Sequence, residues 1–218
     1  MKVSKVKIYD LDECISASKY PMSTYPEDCD YSITDTVKAL AQSNKGEGHD
    51  QFLTGIRVNF DLTCTNQMWK EISRYRFVEF VSGQSTIHRI SLFDIKQQCN
   101  KYVWNSTMDK LQDKCKGYNY LKEYQKTLIN NSDTHLKEQI DANKNRLKEL
   151  YLEILYNTPT GFELTMRLTT NYRALKTVYS QRKNHPLPEW REFCKWILTL
   201  PCAYFIVGED INKLKYLK

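Results

Sequence analysis

The sequence predicts an α+β fold, a small twisted sheet flanked by long helices, in a single domain spanning residues 1–218. Three observations carry that prediction. Ile56, Val58, Phe60, Leu62 and Cys64 alternate without exception with Arg57, Asn59, Asp61 and Thr63. This is the period of two of a strand with one face on a core. Residues 135–156 instead place Leu136, Ile140, Leu147, Leu150, Tyr151, Ile154 and Leu155 at helical spacing, broken only at Asn143, so a long amphipathic helix is expected there. Finally, 218 residues with 41% hydrophobic content suit one core, and no linker-like stretch divides them.

Taken in order, residues 2–8 alternate loosely through Val3, Val6 and Ile8 and predict a first strand. Residues 34–42 read as a helix capped by Thr34 or Asp35, with Val37, Leu40 and Ala41 on one face. Residues 44–50, NKGEGHD, hold two of the seven glycines and predict a loop. After the alternating strand, Thr65 can cap a helix whose apolar face is Met68, Trp69, Ile72 and Tyr75. Strand followed by helix delivers the Arg74-Tyr75-Arg76 segment to one end of the sheet.

The stretch FVSGQSTIHRISLFDI reads as a loop and then a strand or short helix. Residues 100–131 are polar and Tyr-rich and give mixed signals. Beyond Thr158-Pro159 another helix is expected to about Arg182, with Leu164, Leu168, Tyr172, Leu175 and Tyr179 on a face. The break NHPLP precedes a last helix bearing Trp190, Phe193, Cys194 and Ile197, with Pro188 in its first turn. Residues 203–207 read as a final strand or buried run.

Composition excludes several classes. Seven glycines and six prolines are too few for collagen-like or linker chains. Neither G-x-G-x-x-G nor G-x-x-x-x-G-K-[ST] occurs, so nucleotide binding through a glycine-rich loop loses its support. No apolar run nears the roughly 20 residues of a membrane span. The opening MKVSKVKIYDLDEC lacks the apolar region of a secretory signal. Seven scattered cysteines without C-x-x-C predict reduced thiols in a cytoplasm. Four dispersed histidines without H-E-x-x-H give no metal site, and no G-x-S-x-G marks a nucleophile. The charge, 32 − 26 = +6, admits a polyanionic partner. Its bases are interspersed with acids, however, which favours an ordinary solvated surface over a nucleic-acid face.

The segment TNYRALKTVYSQR, followed by His185 and Trp190, resembles the C-terminal block of flavin-dependent thymidylate synthases, N-x-R-S-L-x-x-F-L-x-L-R-x-x-x-x-H-A-Q-W-E. Asn171, Arg173, Leu175, Arg182, His185 and Trp190 fall on it, with a one-residue slip at His185. Upstream, Gly48-His49 and the alternating strand resemble that family's G-H-E-x-P-F-E-H and its strand. The same alignment places Arg74-Tyr75-Arg76 on the Arg-His-Arg that opens the signature R-H-R-x-x-S-x-N-E-x-S-x-R-Y. The resemblance covers residues 12–205 or thereabouts. It implies FAD held by His49, Arg74, Arg76, Asn171 and His185, and a pyrimidine nucleotide such as dUMP held by Arg182, Gln84 and Arg89. It also implies NADPH and methylenetetrahydrofolate as co-substrates, and a homotetramer with sites between subunits.

The departures lie in the signature, where Glu79, Val81, Ser82 and Gln84 replace Ser, Asn-Glu and the second Ser. Thr86-Ile87 replace the closing Arg-Tyr, unless a short insertion lets Arg89 serve. Thr54 and Gly55 stand at the Glu-His that ends the upstream block. Three readings follow. The first is a divergent flavin-dependent thymidylate synthase homologue, and the second a non-catalytic nucleotide- or protein-binding descendant of the same fold. The third is a basic, Tyr-rich nucleic-acid binder using Tyr118, Tyr120 and Tyr124 with Lys116, Lys122 and Lys126.

Overall fold

A computed structural model describes residues 1–44, 46–130 and 136–208. Four strands, β1 (Lys2–Tyr9), β2 (Arg57–Thr65), β3 (Glu79–Gly83) and β4 (Glu163–Asn171), form one sheet in the order β1-β2-β4-β3. Helices α1 (Leu11–Ala17), α2 (Asp35–Ala41) and α3 (Asn66–Ile72) precede β3. Helices α4 (Thr86–Arg89), α5 (Ile95–Gln98), α6 (Asn105–Asn130) and α7 (Lys137–Tyr156) lie between β3 and β4. Helices α8 (Tyr172–Arg182), α9 (Pro188–Ile197) and α10 (Tyr204–Val207) follow β4. The expected α+β class, a small sheet with long helices, is the class found. The chain resolves into two compact units, one of residues 1–64, 68–82 and 165 onward, the other of residues 65–67 and 83–164.

In the first unit the sheet is built as the alternation requires. Val58, Phe60, Leu62 and Cys64 of β2 are fully buried, as are Leu168 and nearly all of Met166 of β4. Phe60 meets Phe193 at 5.8 Å and Trp196 at 4.7 Å between ring centroids, so α9 covers this face. Each such aromatic contributes roughly 1.5–3 kcal/mol of burial. The opposite face carries polar cross-strand pairs. Asn59 Oδ1 accepts from Thr169 Oγ1 at 2.6 Å, Asp61 meets Arg167 at 3.1 Å, and the Thr63 and Thr165 hydroxyls lie 2.8 Å apart. Opposed residue numbers along these pairs make β2 and β4 antiparallel, as β1 and β2 are. At the sheet's margin, the β1 ladder shifts register between Ser4 and Lys7, with Lys5 at φ 48°.

In the second unit α6 and α7 run antiparallel. Lys114 pairs with Glu153 at one end, and Gln125 Nε2 donates to the Ile140 carbonyl at the other. Asn143, which interrupts the apolar stripe, is buried and donates to Gln125 Oε1 at 2.7 Å. The interruption is therefore a satisfied polar pair in the helix seam.

Several expectations are corrected. Residues 158–182 do not form one helix: β4 occupies residues 163–171, and α8 begins only at Tyr172. The spacing of four between Leu164, Leu168 and Tyr172 suits a strand as well as a helix, and the buried Met166 and Thr170 between them decide for the strand. Residues 203–207 are a buried run whose last four residues are helical, so no strand forms there. Helix α3 stops at Ile72, leaving Tyr75 in the turn beyond it. The mixed segment 100–131 is mostly the 26-residue α6. For the predicted helix over 135–156, α7 is described from Lys137, and position 135 lies outside the described residues.

Candidate functional site

The first unit contains an open cavity of about 470 Å³ along one face of α8. Asn171, Arg173, Ala174, Thr177, Ser180 and Gln181 line it from the helix, at helical spacing. Asp50, Gln51 and Thr54 line it from a 3-10 turn over His49–Thr54, and Arg76 and Phe77 from the segment before β3. Gly48, at φ 81°, makes the left-handed entry to that turn.

Helix α8 starts where it does because Asn171 caps it. The Asn171 Oδ1 accepts from the Ala174 N–H at 2.8 Å. That oxygen is thereby committed, and the side-chain amide N–H₂ remains for a ligand. Asp50, 5% exposed, sits between two cations, accepting from Arg173 Nε and Lys176 Nζ, each at 3.0 Å. The charged groups of the wall are Arg76, Arg173 and Lys176 against Asp50, 3 − 1 = +2, a balance suited to an anion. Thr54 Oγ1 is buried without a hydrogen-bond partner. A phosphate-bearing ligand such as FAD fits this donor set, which offers guanidinium and amide hydrogens.

Next to the cavity lies an aromatic cluster. The Arg182 guanidinium carbon is 4.7 Å from the Tyr75 ring centroid and 5.0 Å from that of Trp190. The two centroids are themselves 5.6 Å apart at 70° between planes, so Arg182 occupies a corner between perpendicular rings. Its Nε is buried without a hydrogen-bond partner. Trp190 Nε1 donates to Glu71 Oε2 at 2.7 Å, and the Tyr75 hydroxyl donates to Gln181 on the cavity wall. Burial raises the Tyr75 phenol, with Arg182 opposing, and burial pushes the neighbouring Cys194 thiol up to about 12. Cys194 is a packing residue, protonated at neutral pH.

Of the residues expected to hold FAD, Arg76 and Asn171 lie on the cavity wall. Arg74 is exposed, and its Nε donates to the Lys70 carbonyl at 2.9 Å. His49 is exposed at the start of the 3-10 turn, outside the cavity lining. His185 packs in the turn after α8, its Nε2 3.6 Å from Glu71 Oε2 and its Nδ1 accepting from the Leu187 N–H at 3.2 Å. Of those expected to hold the nucleotide, Arg182 is in the aromatic corner. Gln84 and Arg89 are exposed residues of the second unit.

Sequence reasoning missed Asp50, Gln51, Arg173 and Lys176 as wall residues. Arg173 stood in the C-terminal block, and Asp50 and Gln51 within the upstream block from Gly48 to Gly55; these were the available signals. At Gly55, where the resembling family has His, an added Cβ would collide with Cys14 Sγ. In the Tyr-rich segment Tyr118 packs on Tyr151 at 4.9 Å, and Lys116 and Lys126 pair with Asp113 and Glu123, while Tyr120 and Tyr124 are exposed. Among the described residues no helix is long and apolar enough to cross a membrane.

No family model matches the sequence, and no curated protein matches it. Solved structures do. A flavin dependent thymidylate synthase ThyX from Helicobacter pylori, complexed with FAD and dUMP, is 16% identical with a TM-score of 0.63, over 97% of this chain and 99% of that one. A second structure of the Helicobacter pylori enzyme with FAD and dUMP is 17% identical with a TM-score of 0.61, over 98% and 100%. A UMP/dUMP methylase PolB from Streptomyces cacaoi, bound with 5-Br dUMP, is 14% identical with a TM-score of 0.50, over 98% and 95%. At these identities the likeness establishes a common fold.

Proposed function

On the fold shared with flavin-dependent thymidylate synthases, we propose that this chain is a divergent FAD-dependent enzyme that methylates, or otherwise modifies at C5, a pyrimidine deoxynucleotide such as dUMP. The observation that carries the reading is the positively charged cavity on α8, built from the part of the sequence that matches the family's C-terminal block. Arg76 and Arg173 hold the anionic part of FAD, and the Asn171 amide reaches its polar edge. Bound flavin supplies hydride, with methylenetetrahydrofolate as carbon donor and NADPH as reductant. The chain's own contribution is to bind and orient these partners, which agrees with the lack of a nucleophile motif. A homotetramer acting in the cytoplasm completes the proposal.

The second reading keeps the fold and drops the catalysis. It is favoured by Arg182, expected on the nucleotide, being engaged with Tyr75 and Trp190. Purified protein is expected to show flavin absorbance, or to acquire it on titration with FAD. A colourless protein that takes up no FAD sinks the enzyme reading. Conversion of dUMP to dTMP with methylenetetrahydrofolate and NADPH eliminates the non-catalytic one.

A further inference from the structure

We propose that Asp50 is a positioning residue that fixes the Arg173 guanidinium as the cavity's anion donor, while Lys176 serves as a strut that never touches the ligand. The proposal rests on reading the cavity as an anion site.

Lys176 carries three N–H donors, and three acceptors take them. These are the Ala41 carbonyl at 2.8 Å, the Ser43 carbonyl at 2.9 Å and Asp50 Oδ2 at 3.0 Å. Although it lines the cavity, Lys176 has no donor left and ties α8 to the chain that leaves α2. Arg173 differs. Of the five N–H donors of a guanidinium, one goes from Nε to Asp50 Oδ1 at 3.0 Å and one from Nη1 to Gln51 Oε1 at 2.6 Å. The remainder stay available at a side chain that is 37% exposed, against 7% for Asp50. The two acceptors act on adjacent nitrogens of a planar group, so they fix its plane and its rotation together.

Charge alone predicts the opposite effect of Asp50. A carboxylate beside an anion site repels the anion, so its removal should tighten binding. If Asp50 acts by holding Arg173, its removal weakens binding, because a freed guanidinium must be ordered again by each ligand. The sign of the change separates the two.

The test is calorimetric titration of the full chain with inorganic pyrophosphate, using wild type, Asp50→Asn, Arg173→Met and the double variant. Asp50→Asn is expected to bind about 10-fold more weakly, on the scale of one charge-assisted contact. The double variant should bind no more weakly than Arg173→Met alone, because Asp50 acts only through Arg173. Unchanged or tighter binding in Asp50→Asn overturns the proposal, as do losses that simply add. Should Asp50→Asn fail to fold, Gln51→Leu removes the other acceptor at an exposed position. A few-fold loss at unchanged melting temperature then supports the proposal, and unchanged affinity overturns it. Wild type that binds no pyrophosphate overturns both this role and the anion reading. Pyrophosphate binding without FAD uptake sinks only the flavin reading and leaves the role of Asp50 intact.

Discussion

Tyr172 has no exposed surface, and its hydroxyl donates to the Pro201 carbonyl at 2.6 Å. Burial pushes its phenol up, so it remains a neutral donor. Tyr172→Phe removes this hydrogen bond from a buried ring to an exposed turn residue and is expected to cost about 1 kcal/mol in denaturant unfolding. Arg182 combines a binding candidate with a packing role. Arg182→Ala removes contacts with two rings and should lose about 1–2 kcal/mol of stability as well as nucleotide affinity. Calorimetric binding and thermal unfolding of one sample separate the two effects. Residue-scale legibility was uneven for a physical reason. Thr34 as cap and Pro188 in a first turn depend on neighbours within a few positions, and both stand as expected. The Asp50–Arg173 pair joins residues 123 positions apart, and nothing local in NKGEGHD announces it.

Among the elements, β2 was fully legible because its alternation had no competing period. β4 was not, since a spacing of four residues serves both a strand and a helix. Its correct boundary depends on Asn171, the last strand residue and the cap of α8. Asn171→Ala is expected to cost about 1 kcal/mol of stability, and Asn171→Asp little, as urea midpoints would register. The polar face of β2 and β4 gives the sheet a pH dependence. Burial raises the Asp61 carboxyl, but Arg167 and Lys5 more than offset this, holding it below its ordinary value of 3.8. A depressed folded value means that the ionised carboxylate stabilises the fold. That contribution is present above 3.8 and is lost as pH falls through the lower folded value. Asp61→Asn should be less stable at neutral pH and should flatten the acid limb of the unfolding profile.

At the scale of the whole molecule, 26 acidic side chains offset most of the 32 basic ones and leave +6, and many of the bases are neutralised locally. Lys19, Lys38, Lys96, Lys114, Lys116 and Lys126 each meet a carboxylate. Salt-sensitive retention on single-stranded DNA is therefore expected to be absent, and strong retention would revive the nucleic-acid reading. The buried thiols make a second global prediction. Burial pushes Cys115 to about 11 and Cys194 to about 12, so both should resist a thiol reagent at neutral pH until the protein unfolds.

The broken register of β1 bears on how copies of this chain can aggregate. A sheet has two borders, and growth into a fibre needs both of them open to incoming strands. At β1 the kink around Lys5 interrupts the hydrogen-bonding row and sets a charged side chain there. The other border is β3, five residues long with every side chain exposed. With at most that one border open, strand addition can join two molecules edge to edge but cannot pass the join onward, so growth by strand addition stops at a pair.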